Sequence, residues 1–351
     1  SATALTDGFP MVASSQYGVT VLKITPAGRT KVQGLERQPV TEIEEAYAAY
    51  QEPDTQGALL AERGGLTIRY DMRADSDKPL VLLEGQDQKV WVNPASGGIV
   101  SNWVVKDGNR VPVCAYEEGG GAAMDLFWSP PDARWSGDET AAYELVYAKI
   151  HGRKAYVRLR QAKSHPALDG IVLTKTISIP ERGTDIEVRV EIENPGPTPE
   201  VRFVYWAHQM FTPGREDLKD AMPERKQGIY MERKGEVLRA PVESIVWAKP
   251  GQPFSPGAER FESENRDGVT TADWIAHRNP VTGEAVLCQV REGEVAQFYS
   301  WRQPDGPGLS SEWMYPPVIL QAGESWKTRY DITYLRSVKP EELQDHLAPT
   351  R

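Results

Sequence analysis

At 351 residues and 39.1 kDa the chain fits one large or two modest domains, and folding a chain of this mass hides about three quarters of its surface. Hydrophobic residues at 40%, charged residues at 26% and a mean hydropathy of -0.50 exclude long intrinsic disorder. A formal charge of -10 and a pI near 5.2 argue against nucleic acid or an anionic membrane as partner, and no apolar run approaches the roughly 18 residues that span a bilayer.

The first residues, Ser1-Ala2-Thr3, lack Met and carry neither a basic flank nor an apolar stretch. That start suits a mature or trimmed product and leaves room for a removed export signal, so a periplasmic or secreted location is favoured over a cytoplasmic one. Cys114 and Cys288 make no metal cluster and read as two buried thiols, or at most one disulfide. Ten Trp, fourteen Tyr and seven Phe, punctuated by 27 Pro and 30 Gly, read as many short strands joined by turns.

Residues 18–24 form a first strand, stopped at Pro26-Ala27-Gly28. A short helix follows, with Thr41 and Glu44 as a capping box, Ile43, Tyr47 and Tyr50 on one face, and Pro53 as its stop. Strands are then expected at 66–70, 80–83, 89–92 and 99–105, the last running into a turn at Lys106-Asp107-Gly108-Asn109. From Asp185 to Glu193, Ile186, Val188, Val190 and Ile192 alternate with charged residues, so one face is apolar and the other wet. Its hairpin partner is 171–179. The segment Pro195-Gly196-Pro197-Thr198-Pro199 is too short for a domain linker and reads as a rigid turn before a strand at 201–206. Later strands are expected at 285–290, 295–301 and 328–335, with a small helix within 340–347. Residues 1–75 then make an N-terminal extension packed, through its short helix, on an antiparallel β domain covering 76–351.

Several familiar sites are absent from the sequence: Gly-x-Gly-x-x-Gly, the phosphate-binding Lys-Ser loop, Gly-x-Ser-x-Gly, His-Glu-x-x-His and paired Cys-x-x-Cys. Nucleotide, serine-hydrolase and zinc chemistry lose support, and no residue is assigned to a metal. Gly119-Gly120-Gly121, next to Glu117-Glu118 and ahead of Asp125 and Trp128, reads as a loop close to a ligand or as a flexible hairpin. Among five histidines, His165 and His346 read as surface. His208 ends an apolar strand among rings, in Tyr205-Trp206-Ala207-His208-Gln209-Met210-Phe211, where neighbours tune an imidazole into a proton donor or acceptor; a merely hydrogen-bonded His is the alternative. Glu312 stands beside Trp313 and Tyr315, as sugar recognition requires, since pyranose faces stack on rings and hydroxyls bond to carboxylates; an ordinary strand Glu is the alternative.

Taken in order, the Trp206-to-Phe211 motif, the late Glu312, Leu320-Gln321-Ala322-Gly323-Glu324-Ser325-Trp326 and the final strand Arg329 to Tyr334 resemble the galactose mutarotase-like superfamily. Val90-Trp91-Val92-Asn93-Pro94, Gly97-Gly98 and Ile99 to Trp103 are similar to its opening strands, and Leu173 to Ile177 and Val190 to Asn194 to its central ones. The resemblance covers roughly 80–336. It implies an all-β fold, an antiparallel β-supersandwich with a sugar-binding cleft on a concave face. It also implies an aldose 1-epimerase-like reaction without a cofactor, His208 as general acid on the ring oxygen and Glu312 as general base on the anomeric hydroxyl. The family's His-Pro-Tyr-Phe reads His208-Gln209-Met210-Phe211 here, its Glu-x-Gln reads Glu312-Trp313-Met314, and its early Arg and His are missing.

The expected partner is therefore a sugar or glycan, bound by Asp125, Trp128, Arg202, Tyr205, Trp206, Trp313 and Tyr315; the sequence gives no oligomeric state. Two other activities stay open. A polysaccharide lyase acting on uronate glycans would use a cation and a base drawn from Arg202, Tyr205 and His208. A non-catalytic glycan-binding module would use Trp128, Trp135, Trp206 and Trp313 as stacking platforms.

Overall fold

The structure, a computed structural model, describes residues 11–15, 18–22, 57–72, 79–106, 111–115, 121–129, 134–136, 141–162, 168, 170–211, 228–233, 236–239, 245–248, 268–269, 272–300 and 310–348. Those residues form an all-β protein with antiparallel sheets; the sole parallel pair among them joins Ile245–Ala248 to Gly268–Val269. The expected helix around 41–53 lies outside the described residues. No helix among the described residues is long and apolar enough to cross a membrane. The one that is present is a 3-10 turn at Pro340–His346, whose Leu343 is fully buried and whose Glu342 carboxylate accepts the Lys339 backbone N–H at 2.9 Å.

The best periodic segment forms the strand it predicts. Asp185–Glu193 buries Ile186, Val188, Val190 and Ile192 and leaves Glu187, Arg189 and Glu191 toward solvent. Each of those four side chains contributes roughly 1.5–3 kcal/mol on burial as an upper estimate, and a one-residue slip would expose all of them, which fixes the register. The strand pairs with Val172–Pro180 on one side and Ser325–Leu335 on the other. Around these three lies a nine-stranded sheet: Glu144–His151, Lys154–Ala162, Val172–Pro180, Asp185–Glu193, Ser325–Leu335, Ala285–Glu292, Trp274–Arg278, Gly228–Arg233 and Glu236–Arg239.

A six-stranded sheet takes Leu59–Arg63, Leu66–Asp71, Leu80–Glu84, Gln88–Asn93, Ile99–Val105 and Val111–Ala115 in chain order. The expected boundary at residues 75/76 falls inside this sheet, because Leu66–Asp71 pairs with Leu80–Glu84 over five positions. The third large sheet holds Arg134–Ser136, Met124–Ser129, Glu200–Met210, Ser310–Met314, Gln297–Ser300, Ile245–Ala248 and Gly268–Val269, with Val318–Gln321 on the early half of the long strand. A separate hairpin pairs Met11–Ser15 with Gly18–Leu22. One apolar cluster draws on all three large sheets: Ile68 and Val81 from the six-stranded, Ile177, Val188 and Ile332 from the nine-stranded, Phe203, Tyr205 and Trp313 from the third. The Pro195–Pro199 segment is a turn as expected; Asn194, buried beneath it, donates its amide to the Thr198 and Leu320 carbonyls at 3.0 and 3.1 Å. Cys288 is buried and unpaired, and burial pushes its thiol pKa up; Cys114 lies on a strand whose side chains are outside the description.

Ion pairs lace the solvated faces. For Glu84 burial pushes the carboxyl upward, but the hydrogen bond from Lys106 and the charges of Lys89, Lys106 and Arg69 outweigh it and hold the pKa below 4.5. Glu187 is lowered in the same way by Arg189 and Lys154 against burial, and Glu191 chiefly by the Lys327 hydrogen bond. A carboxylate with a depressed native pKa contributes stability that is present above the unfolded value and lost as pH falls through the native one. Asp331, raised by burial and by the charge of Glu187, works in the opposite direction and offsets part of the loss. The urea midpoint is therefore expected to hold from pH 7 to 5 and to drop below about 4.5, less steeply in Glu84→Gln; a flat profile down to pH 3 contradicts this.

Candidate functional site

Four neighbouring strands build the site. Glu200–Met210 lies between Met124–Ser129 and Ser310–Met314, and Gln297–Ser300 follows on the far side of the latter. Register sets Met124 opposite His208, His208 opposite Glu312, and Glu312 opposite Tyr299, so these four residues form one row across four strands. Directly opposed residues in antiparallel strands have Cβ atoms about 4.5–5.5 Å apart, close enough for long side chains to touch. His208 Nε2 stands 3.2 Å from Glu312 Oε1, and His208 Nδ1 stands 3.2 Å from the Met124 sulfur.

Glu312 is 1% exposed. A buried carboxylate needs partners. Oε1 takes the His208 contact and a short hydrogen bond from the Ser310 hydroxyl, while Oε2 has no hydrogen-bond partner among the described residues. Tyr299 next to it is raised in pKa by burial and then by the charge of Glu312, so its phenol stays protonated. His208 is the open member, with 14% of its side chain exposed. A thioether sulfur has lone pairs but no proton to give, so the Met124 contact is attractive when Nδ1 carries hydrogen. Nitrogen-15 NMR of the His208 ring is expected to show Nδ1 protonated, with that preference weakened in Met124→Leu; a neutral ring protonated only at Nε2 contradicts the assignment.

Strand alternation divides the other expected sugar contacts between two faces. Trp206, two residues from His208, shares its face and is 6% exposed, with its ring edge-on to Tyr299 at 6.0 Å. Tyr205, Trp313, Tyr315 and Asp125 do not reach that face. Tyr205, Trp313 and Tyr315 belong to the interior cluster, where the Trp313 indole N–H donates to Tyr315 at 3.0 Å and its ring meets Tyr330 edge-on at 4.8 Å. Trp313 is fully buried, so a stacking role for it is corrected: one position from Glu312, it necessarily points the other way. Arg202 is exposed and ion-paired with Glu200 at 2.5 Å, six residues or roughly 20 Å along the strand from His208. Trp128 pairs through its backbone with Val204 and Trp135; the side chains of both tryptophans lie outside the description. Gly119 and Gly120 lie outside it as well, whereas Gly121 is described, with φ +155° and a Cβ position that would meet the Val100 carbonyl oxygen at 2.4 Å.

Behind the His208 row lies a polar centre. The Lys175 ammonium is fully buried and reaches the Asp125 carboxylate at 2.6 Å and the carbonyls of Gly97, Gly98 and Ala123 at 3.1, 3.2 and 2.6 Å. Asp125 also accepts the hydroxyls of Tyr143 at 2.8 Å and Tyr205 at 2.5 Å. Gln209 Oε1 accepts the backbone N–H of Ala123, a non-glycine residue at φ +58° that immediately precedes Met124. Lys175 is readable in the sequence after all, since it stands where Leu173, Ile177 and Ile179 set an inward apolar row.

The all-β fold is similar to that of solved galactose mutarotase-like structures. The chain superposes on a galactose mutarotase-like protein from Clostridium acetobutylicum with a TM-score of 0.50 at 11% identity, over 78% of this chain and 99% of that one. It also superposes on a putative aldose 1-epimerase from Klebsiella pneumoniae, TM-score 0.51 at 9% identity over 86% and 95%, and on a TPR-domain containing protein from Parabacteroides distasonis, TM-score 0.53 at 12% identity. Of the last it matches 79% of its own length but spans only about half, 51%, of the other chain. No family model and no curated protein sequence matches the chain.

Proposed function

We propose that the chain is a carbohydrate-active protein that binds a sugar over the His208 row and interconverts its anomers, with Glu312 and His208 as the acid-base couple. The observation that carries this reading is the 3.2 Å contact between His208 Nε2 and a buried Glu312 whose second oxygen is unpartnered among the described residues. The fold likeness to mutarotase-like structures and the β-supersandwich it implies support the same reading.

Because the two groups touch, the pyranose lies against the row rather than between its members. Glu312 Oε2 takes the proton from the anomeric hydroxyl, His208 delivers a proton to the ring oxygen, and the C1–O5 bond breaks as the C1 carbonyl forms. Rotation about C1–C2 and the reverse steps give the other anomer. On closure Glu312 returns its proton to the anomeric oxygen and His208 takes the proton back from O5, so both groups end as they began with no proton from solvent. Trp206 supplies an aromatic surface on the same face.

The uronate lyase reading is not supported by the geometry: the Tyr205 hydroxyl serves Asp125 in the interior, and Arg202 is ion-paired far along the strand. Polarimetry of freshly dissolved aldoses, with and without the protein, tests the proposal. Accelerated equilibration with at least one sugar is expected; sugar binding without any acceleration makes the chain a non-catalytic glycan-binding module.

A further inference from the structure

The outer face of the nine-stranded sheet carries a second feature, on a different sheet from His208. An open depression there is lined by Lys154, Glu187, Arg189, Arg291, Arg329 and Asp331. Four cations and two carboxylates line it, and with Glu292, which faces Arg329 across the next strand, the cations still outnumber the carboxylates on a chain whose formal charge is -10. Glu187 is shared by Lys154 at 3.1 Å and Arg189 at 2.6 Å, and Asp331 lies 3.5 Å from Arg291. The buried Nε of Arg329 has no hydrogen-bond partner among the described residues, although the charge of Arg329 acts on Asp331 and Arg329 pairs in register with Glu292.

Register makes this arrangement costly. Arg189 and Arg329 are directly opposed on adjacent central strands, and like charges at opposed positions destabilise a sheet. The wet faces of the same strands show the usual solution at other positions, with Lys327 and Arg158 both bonded to Glu191. Glu292, the register partner of Arg329 on the strand beyond, and Asp331 offset part of this repulsion, yet the cations still outnumber the carboxylates. Guanidinium forks converging from neighbouring strands match oxyanion geometry, and an oxyanion relieves the repulsion between the opposed arginines.

We propose that this depression binds a doubly charged tetrahedral oxyanion, sulfate or a phosphoryl group, held by Arg329, Arg189, Arg291 and Lys154. The test is thermal unfolding of the full chain at low ionic strength, titrated with sodium sulfate, sodium phosphate or methyl phosphate against sodium chloride at matched ionic strength. A saturable rise in Tm with the dianions beyond that given by chloride is expected. Arg329→Gln and Arg189→Gln should each weaken the apparent affinity about tenfold or more, and Lys339→Gln, a remote exposed cation, should not. A response to methyl phosphate equal to that of phosphate indicates a phosphoryl group carried on a larger molecule, and a response to the inorganic ions alone indicates the free ion. Dianions that do no more than chloride overturn the proposal, as do two arginine variants that both keep wild-type affinity.

Discussion

Lys175→Met is expected to lower the unfolding free energy by about 3–5 kcal/mol, the range for breaking a buried ion pair from one side. The ammonium is fully buried; desolvation drives its pKa down and the Asp125 charge holds it up. Without it Asp125 keeps two phenol donors but no counter-charge, and three carbonyls, those of Gly97, Gly98 and Ala123, lose their shared donor. Those carbonyls belong to residues with positive φ, +68°, +56° and +58°, so the ammonium ties together two backbone segments, one of them holding the non-glycine Ala123 in the left-handed region. The double variant Lys175→Met with Asp125→Asn should cost clearly less than the sum of the singles, because an amide needs no counter-charge. Urea denaturation reads both effects. A loss under about 1 kcal/mol for Lys175→Met would show that the pair is not the structural centre assigned to it. Ala123 precedes Met124, so the same variant should also disturb the Met124 contact on His208.

Glu312→Gln should cut the proposed anomer exchange by about 10²–10⁴, the usual contribution of a positioned acid or base, while sugar binding persists. Gln keeps an oxygen for the Ser310 hydroxyl and similar volume in a site that is 1% exposed, but it takes no proton. His208→Gln should cost a comparable factor. Since the two side chains touch at 3.2 Å and act as one couple in the proposed reaction, the double variant should be little slower than either single. Glu312→Gln with the wild-type rate eliminates the acid-base role, and fully additive losses separate the two residues into independent functions.

Much of the scaffold was legible because the relevant signal is local. The alternation of Ile186, Val188, Val190 and Ile192 needs only a period of two and one buried face, and the structure reproduces those bounds without change. Other strands were not recognised from the sequence for identifiable reasons. Met124–Ser129 buries Met124 and Leu126 on one face and Asp125 and Phe127 on the other, so no polar-apolar alternation marks it. Lys154–Ala162 does alternate, with Ala155, Val157 and Leu159 buried, and its charged residues hid a pattern that was present. Single-residue parity explains why the expected sugar contacts fall on two faces: His208 and Trp206 share a face that Tyr205 cannot reach, and Glu312 shares none with Trp313.

By itself the sequence determined the strand-rich class, the main strand positions and the two residues worth watching, since composition and period-two alternation act within a few residues. Pairing decided the rest. That His208 faces Glu312, that Met124 faces His208, that Lys175 meets Asp125 and that two arginines oppose each other all depend on register between strands distant in the chain. Register is set by the burial of whole apolar faces against one another, a sum over three sheets that no local stretch of residues contains.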